Sequence, residues 1–348
     1  MIDHLHEGPL HTPLCDLLGC NVPILVAGMG GVSRWELAAA VANTGAYATL
    51  GMVREDPDLI AREVTALRSA TDRPFAVNLI PAATEAGLLD RQIGRCLDLG
   101  VQDFSFFWDV MPEVVRRVKS AGCKVLHQVG SLEAARAAEA AGADVLIAQG
   151  VEAGGHVHGR LGTFVLLEQI LRAAQVPVVA SGGIASGAGL AAALTMGAQG
   201  IQCGTAFLAT AESFAHDYHK QRVVAARAGD TVLTDIFVLN WPAHAAVRVI
   251  ANSVTEELGP NLLGHDPERL PREVIAHEDD QPRLRFSTDS PLRNTTGDLE
   301  AMALFAGQSA GAIDDVIPAA DRIRQIMEDA ASHIDRLTDH LTPQGGQS

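Results

Sequence analysis

The feature that most constrains the fold is a regular alternation of short apolar runs and helical patterns between residues 23 and 203. Eight apolar runs occur, at residues 23–27, 46–50, 75–80, 101–107, 124–127, 144–148, 177–180 and 200–203. Helical patterns such as residues 35–43 and 132–141 separate them, and several runs follow a helix-ending glycine. Strands that alternate with helices predict βαβ units and a parallel sheet. Eight such units favour an α/β fold, the closed (β/α)8 TIM barrel, over an open doubly wound sheet.

Two glycine-rich turns lie one repeat apart at the end of this pattern. Ser181, Gly182 and Gly183 follow the seventh run, and Gly204 and Thr205 follow the eighth. In (β/α)8 barrels the last two units build a phosphate site in this way, because backbone N–H groups near a helix N-terminus converge on the anion. We therefore expect a phosphate-bearing ligand there, most simply FMN, and the alternative is a pair of tight turns without a ligand.

Other strand ends carry residues that suit a binding site, since active sites of such barrels lie at the carboxyl ends of the strands. The candidates are Ala27, Gly28 and Met29 after the first run, Asn78 after the third, Gln128 after the fifth and Gln149 after the sixth. Small residues let a flat ring approach the backbone. Uncharged amides can bond flavin carbonyls or ring nitrogens without adding charge.

His156 is the candidate catalytic residue, because it follows Gly154 and Gly155 in the loop after the sixth run. An imidazole facing the pocket can accept a substrate proton, or stabilise negative charge when it is protonated. The alternative is a hydrogen-bonded loop histidine that orients the backbone. We expect His127 to bond or pack against the cofactor, and Glu152 to anchor the loop.

Composition excludes several classes of function. The formal net charge of −16 over 348 residues argues against nucleic acid or an anionic membrane as a partner. The five cysteines show no spacing typical of a metal site. Without a recognisable secretory leader or an apolar run of about 20 residues, a cytoplasmic location is expected.

The alternation stops near residue 207, which predicts three segments. Residues 1–211 form the barrel, residues 212–305 a helical lid with helices at 214–227 and 244–258, and residues 306–348 return to the barrel wall through a helix at 317–337. The tail, residues 342–348, is expected to be disordered. Three residues of the lid segment are interpreted as packing and polar anchors: Trp241, Arg248 and Asn252.

Residues 149–159, 181–189 and 204–213, together with Ala306-Gly307-Gln308, resemble the nitronate monooxygenase family, formerly called 2-nitropropane dioxygenases. The resemblance implies a TIM barrel with a helical lid, FMN as cofactor and no metal. It implies His156 as the catalytic residue and Gln308 near the cofactor. The implied reaction is oxidation of alkyl nitronates or nitroalkanes by O2 to a carbonyl compound and nitrite; a homodimer is compatible with this prediction.

The same motifs are similar to those of FMN-dependent NAD(P)H reductases that act on quinones or enoyl-acyl-carrier proteins. Some nitronate monooxygenases carry a lysine where His127 and Gln128 stand and an acidic residue near Gln149, so substrate choice stays open between the two reactions. A third alternative, a flavin-free barrel for a sugar phosphate, would usually need a strand-end lysine or paired carboxylates, which the sequence pattern lacks.

Overall fold

Eight parallel strands close into a barrel, as the alternating pattern predicts. The computed structural model describes residues 10–242 and 245–341, so the tail at residues 342–348 lies outside the described residues. The strands of the described part are β1 (Ile24–Val26), β2 (Ala48–Gly51), β3 (Phe75–Leu79), β4 (Asp103–Phe106), β5 (Lys124–Val129), β6 (Val145–Gln149), β7 (Gly155–His156), β8 (Val178–Ser181), β9 (Gly200–Cys203), β10 (Thr231–Thr234), β11 (Val247–Ile250), β12 (Val274–Glu278), β13 (Gln281–Leu284) and β14 (Thr295–Gly297). The barrel sheet has the order β1-β9-β8-β6-β5-β4-β3-β2, and a parallel bridge between Leu25 and Tyr47 joins β1 to β2. The (β/α)8 TIM barrel is therefore confirmed.

Helices cover the outside of this sheet. The helices of the described part are α1 (Pro13–Leu18), α2 (Trp35–Asn43), α3 (Pro57–Ala70), α4 (Ala86–Asp98), α5 (Pro112–Ser120), α6 (Leu132–Ala141), α7 (Thr163–Leu171), α8 (Gly187–Met196), α9 (Thr205–Leu208), α10 (Asp217–Ala225), α11 (Ser253–Leu258) and α12 (Ala319–Leu341). In α3, Asp56 caps the first turn through its carboxylate and Pro57 occupies the first helical position. Ile60, Val64 and Leu67 recur at helical spacing and form the buried face of α3.

Side chains of the barrel strands alternate between the interior and the helix layer, because a strand has a period of two residues. The amino-terminal end of the interior is filled by a buried cluster to which α1 contributes: Leu14, Cys15, Leu18, Cys20, Leu25, Tyr47, Ala76, Leu126, Val145, Ile147 and Val179. At this end the Tyr47 hydroxyl donates to Asp103 Oδ2 at 2.6 Å, and Lys124 Nζ lies 3.1 Å from Asp103 Oδ1. A ligand can therefore enter at the opposite end, where the strands finish.

Residues 212–305 contain strands as well as helices, whereas the sequence pattern predicted a helical lid. The first expected helix is present as α10, but the second, residues 244–258, is strand β11 followed by the short α11; residue 244 lies outside the described residues. Strand β11 pairs antiparallel with β10 and with β7. Val247 and Val249 are both fully buried in a second apolar cluster. Their β-branched side chains at alternate positions fit a strand better than a helix.

The rest of the chain adds a small sheet and a long helix. A three-stranded antiparallel sheet with the order β13-β12-β14 forms within residues 274–297. Helix α12 packs on α8 and α2. Gly187 permits the close approach to α12, since a Cβ atom there would lie 2.2 Å from Ala330 N. Among the helices of residues 10–242 and 245–341, none combines the length and apolarity needed to cross a bilayer. The boundaries at residues 211 and 305 stay a prediction.

His127 faces the helix layer, not the barrel interior. It is 1% exposed, its ring contacts Phe106 edge-on at 6.4 Å between centroids, and its Nδ1 lies 3.1 Å from Gln128 O. Successive side chains of β5 point to opposite faces of the sheet, and Gln128 points into the barrel. Its neighbour His127 must therefore point outward, so the expectation that His127 packs against a cofactor is wrong. Burial lowers the pKa of His127 to about 4.

We expect His127→Gln to weaken the pH dependence of folding stability. The unfolded chain binds a proton at this histidine below about pH 6.5 and the folded chain does not until about pH 4, so the free energy of unfolding falls as pH falls between these values. Removing the histidine should reduce the slope of the free energy of unfolding against pH by about 1 kcal/mol per pH unit. Urea unfolding at pH 7, 6 and 5 measures it, and equal slopes for variant and wild type would contradict the assigned burial.

Candidate active site

The open end of the barrel contains a cavity of ≈ 470 Å³, formed by strand ends, the loops after them and the lid. A cavity of this size is typical of a small-molecule site. It is lined by fourteen of the fifteen sequence-predicted site residues: Ala27, Gly28, Met29, Asn78, Gln128, Gln149, Gly154, Gly155, His156, Ser181, Gly182, Gly183, Gly204 and Thr205. Residues from separate strand ends and loops therefore meet in one place.

Three of the amide side chains that line the cavity, those of Asn78, Gln128 and Gln149, enter it because of the strand period. Each stands two residues after an inward apolar residue of the filled barrel end, as Asn78 does after Ala76 and Gln128 after Leu126. Alternation therefore places polar side chains directly above the apolar cluster. Gln149 follows the same rule at the end of β6.

Two of these amides have a buried oxygen without a partner. Asn78 Nδ2 donates to Ser105 O at 3.0 Å, and Gln149 Nε2 donates to His156 O at 2.9 Å. Within the described residues, neither Asn78 Oδ1 nor Gln149 Oε1 accepts a hydrogen bond. A buried acceptor left unpaired costs about 1–3 kcal/mol, so both oxygens are suited to a ligand that carries N–H or O–H donors.

The two glycine turns lie on the same cavity, as the barrel geometry predicts. Gly182 and Gly183 have φ angles of +100° and +71°, a region that residues with side chains rarely adopt. A Cβ atom on Gly182 would also lie 2.9 Å from Gly150 O. Thr205 Oγ1 accepts from the Gly307 N–H at 3.0 Å, which leaves its own proton for another acceptor.

The loop after β1 lies directly against the neighbouring strand ends. A Cβ atom on Gly28 would lie 2.2 Å from Asn78 Cβ, and one on Gly51 would lie 2.1 Å from Met29 O. Only glycine permits so close an approach at these two positions. The loop thereby holds Ala27 and Met29 beside the Gly204 turn. A Cβ atom on Gly204 would lie 3.6 Å from the side chain of Ala27 and 3.6 Å from that of Met29.

His156 is held on a short strand under the lid. Strand β7 pairs with β11, and His156 is opposite Val247. The imidazole stacks on the Trp241 indole, with 3.6 Å between centroids and 21° between planes. Trp108 and Phe305 also contact the ring, each at 5.9 Å between centroids. His156 Nε2 is buried and has no hydrogen-bond partner among the described residues.

The imidazole of His156 is neutral at physiological pH. Desolvation lowers its pKa to about 3, and the positive charge of Arg54 contributes to the same shift. A neutral ring can donate or accept one hydrogen bond at Nε2, depending on its tautomer, but it brings no charge to the cavity.

The loop before His156 is anchored as expected. The Glu152 carboxylate accepts from the Thr163 N–H at 3.0 and 2.9 Å and from its hydroxyl at 2.9 Å. A Cβ atom on Gly154 would lie 2.4 Å from Gly307 N, so the carboxyl-terminal segment packs directly on this loop. Arg248 also holds the loop, through Nε to Val151 O at 3.0 Å.

Gln308 is the predicted site residue that lies elsewhere. It is exposed, and its backbone N–H donates to Glu152 O at 2.9 Å. Gln308 begins a 3-10 turn, Gln308–Ala312, that directs its side chain to solvent and the next residue, Ser309, to the cavity. Gln308 therefore does not line the cavity, whereas Ser309 does, and the predicted cofactor contact of Gln308 is not supported by its position.

Sequence reasoning missed several cavity residues, chiefly Arg54, Asn240, Trp241 and Phe305. Arg54 follows β2, and its position after a strand end is the one signal that could have identified it. Trp241 is predicted from the sequence as lid packing. Its stacking on the imidazole could not be anticipated, because it depends on how the lid folds back over the barrel.

Comparison with known proteins gives the family. The nitronate monooxygenase family model matches residues 11–91 and 80–329. A Mycobacterium tuberculosis relative, (3aS,4S,5R,7aS)-5-hydroxy-7a-methyl-1-oxo-octahydro-1H-indene-4-carboxyl-CoA dehydrogenase, is 32% identical over 354 residues, 93% of this chain and 97% of that protein. The structure of FabK from Thermotoga maritima has a TM-score of 0.79 at 32% identity and covers 95% of this chain and 99% of its own. That of a nitroalkane oxidase from Streptomyces ansochromogenes has a TM-score of 0.75 at 32% identity, with 93% and 99% covered. The chain therefore belongs to the nitronate monooxygenase family and is an oxidoreductase.

Proposed function

We propose that this oxidoreductase uses FMN to oxidise alkyl nitronates with O2, giving a carbonyl compound and nitrite. The observation that carries the proposal is one cavity in which two glycine turns, two unpartnered amide oxygens and the unpartnered Nε2 of His156 meet. Family membership and the likeness to a nitroalkane oxidase support the same reaction.

The residues of the cavity fit FMN. The turns at Gly182-Gly183 and Gly204-Thr205 would hold its phosphate, because their backbone is not covered by side chains. Asn78 Oδ1 or Gln149 Oε1 would accept from the N–H of the isoalloxazine. When bound, FMN supplies the transfer of electrons from the nitronate to O2.

The protein would contribute a dry site and an oriented substrate. Trp241 and Phe305 contact the His156 ring and would limit the access of water to the reacting groups. His156 Nε2 would hydrogen-bond the nitronate. Because burial and Arg54 oppose an imidazolium, His156 is better suited to position a preformed nitronate than to deprotonate a neutral nitroalkane.

His156→Ala should keep the cofactor and lower kcat/KM by about 10- to 100-fold, the effect of losing one hydrogen bond to a charged group. A positioning role predicts equal losses for a nitronate and for its parent nitroalkane. Nitrite release measured with both substrates distinguishes the roles. A loss confined to the nitroalkane would make His156 the base and contradict the positioning role.

The second candidate is an FMN-dependent NAD(P)H reductase of quinones or enoyl thioesters. Likeness to FabK and to a dehydrogenase of a CoA thioester, each over more than nine tenths of this chain, favours it. If nitronate oxidation is correct, nitronate and O2 should give nitrite, and NADH or NADPH should leave the flavin absorbance unchanged under anaerobic conditions. Rapid bleaching by either nucleotide, with no nitrite from nitronates, would establish the reductase instead.

Gly204→Val should abolish most FMN retention, because a branched side chain would occupy the proposed phosphate space. The φ angle of Gly204 is −103° and its nearest neighbours leave 3.6 Å, so the substitution is compatible with the fold. Gly229→Val is the matched control, since Gly229 is exposed and a Cβ atom there would have no neighbouring atom within 4 Å. Flavin absorbance per chain after gel filtration measures retention, and full retention in Gly204→Val would overturn the phosphate site.

A further inference from the structure

Two cations line the cavity, Arg54 and Arg283, and they differ in how they are paired. Arg283 forms a two-pronged ion pair with Glu278, at 3.0 Å from Nε and 2.6 Å from Nη2. The hydrogen bonds of Arg54 go to neutral groups, the Asn240 carbonyl and the Thr288 hydroxyl. Within the described residues Arg54 has no carboxylate at ion-pair distance, so its charge is not cancelled by direct contact.

The carboxylates that face Arg54 have other partners. Glu55 Oε1 lies 3.1 Å from Arg34 Nη2. Both oxygens of Asp289 lie 3.4 Å from Asn240 Nδ2. Both carboxylates attract the Arg54 guanidinium through space, but within the described residues neither forms an ion pair with it, so it retains donors for a further acceptor.

Arg54 and His156 act on the same part of the cavity. The Arg54 guanidinium lies over the Trp241 indole at 5.1 Å from the ring centroid, and the His156 ring stacks on that indole at 3.6 Å. The charge of Arg54 reaches the imidazole strongly enough to lower its pKa. An anion that bonds Nε2 of His156 is therefore within range of Arg54, whereas the neutral imidazole offers it no charge.

Two hydrogen bonds to the lid hold the guanidinium of Arg54 in place. Arg54 has a φ angle of +55°, in the left-handed region of backbone conformations. This conformation is unfavourable for any residue other than glycine. Two of the five N–H donors of Arg54 are used by Asn240 and Thr288, and three remain. A guanidinium held in place can bond a planar oxyanion through two parallel N–H groups.

We propose that Arg54 is the residue that recognises substrate charge, binding a small planar oxyanion, a nitronate or an isosteric carboxylate, beside His156. The inference rests on the proposed function for the location of the substrate. It goes further in assigning the preference for anions over neutral analogues to one side chain that follows β2.

The test compares propanoate, a planar anion, with propanamide, its neutral analogue, as ligands of the purified holoenzyme. Binding is measured by tryptophan fluorescence and by flavin absorbance. Arg54→Gln should raise the dissociation constant of propanoate by about 10- to 100-fold, the value of a charge-assisted hydrogen-bonded pair, and change that of propanamide less than about threefold. Arg54→Lys should keep a preference for the anion.

The double substitution Arg283→Gln with Glu278→Gln is the matched control, because it removes a cavity-lining ion pair without changing the net charge of the cavity. Its propanoate affinity should change less than about threefold. A merely structural role of Arg54 would weaken both ligands equally in Arg54→Gln and would overturn the proposal, as would equal wild-type affinities for propanoate and propanamide.

The outcome separates this inference from the proposed function. Arg54-dependent propanoate binding without nitrite release from nitronates would leave the anion site standing and reject nitronate oxidation. Nitrite release with the same KM for the nitronate in wild type and Arg54→Gln would support the reaction and reject the role of Arg54.

Discussion

Closure of the parallel sheet between β1 and β2 is the constraint on which the site depends. The closing pairs are the Leu25–Tyr47 bridge and two backbone hydrogen bonds, Val26 N–H to Tyr47 O at 3.0 Å and Tyr47 N–H to Ile24 O at 2.9 Å. Because all eight strands run in one direction, closure brings every carboxyl end to one rim. Residues separated by much of the chain, such as Met29 and Gly204, then become neighbours.

The lid forms the second side of the candidate site, opposite the rim of the barrel. Pairing of β7 with β11 fixes His156, and the Gly154–Gly307 approach joins the carboxyl-terminal segment to the same loop. Together these contacts place an aromatic cover over an imidazole that burial keeps uncharged. The polar groups of the cavity lie in two places, with hydrogen-bonding amides at the barrel floor and Arg54, which has no ion pair among the described residues, at the lid side.

Much of the barrel could be predicted from the sequence, because strand period and glycine punctuation are local signals. Asn78, Gln128 and Gln149 could be identified for that reason, since their direction follows from position along a strand. Arg54 has only its position after β2 as a sequence signal, because its partners Asn240 and Thr288 lie 186 and 234 residues away. Strand β11 was wrongly predicted as helix, since its partners, β10 and β7, come from separate parts of the chain. Gln308 was predicted as a site residue from the family resemblance alone. In the structure the next residue of the turn, Ser309, lines the cavity instead.

The Tyr47–Asp103–Lys124 network at the filled end of the barrel fixes the strand register. Tyr47 directly precedes β2, Asp103 and Lys124 begin β4 and β5, and the three side chains meet inside the barrel. A slip of one residue would turn Asp103 toward the apolar helix layer, where a carboxylate has no donor and is costly to desolvate. A shifted register of these strands is therefore unfavourable at the filled end of the barrel. The register set there also fixes the positions of the amides Asn78, Gln128 and Gln149 at the open end.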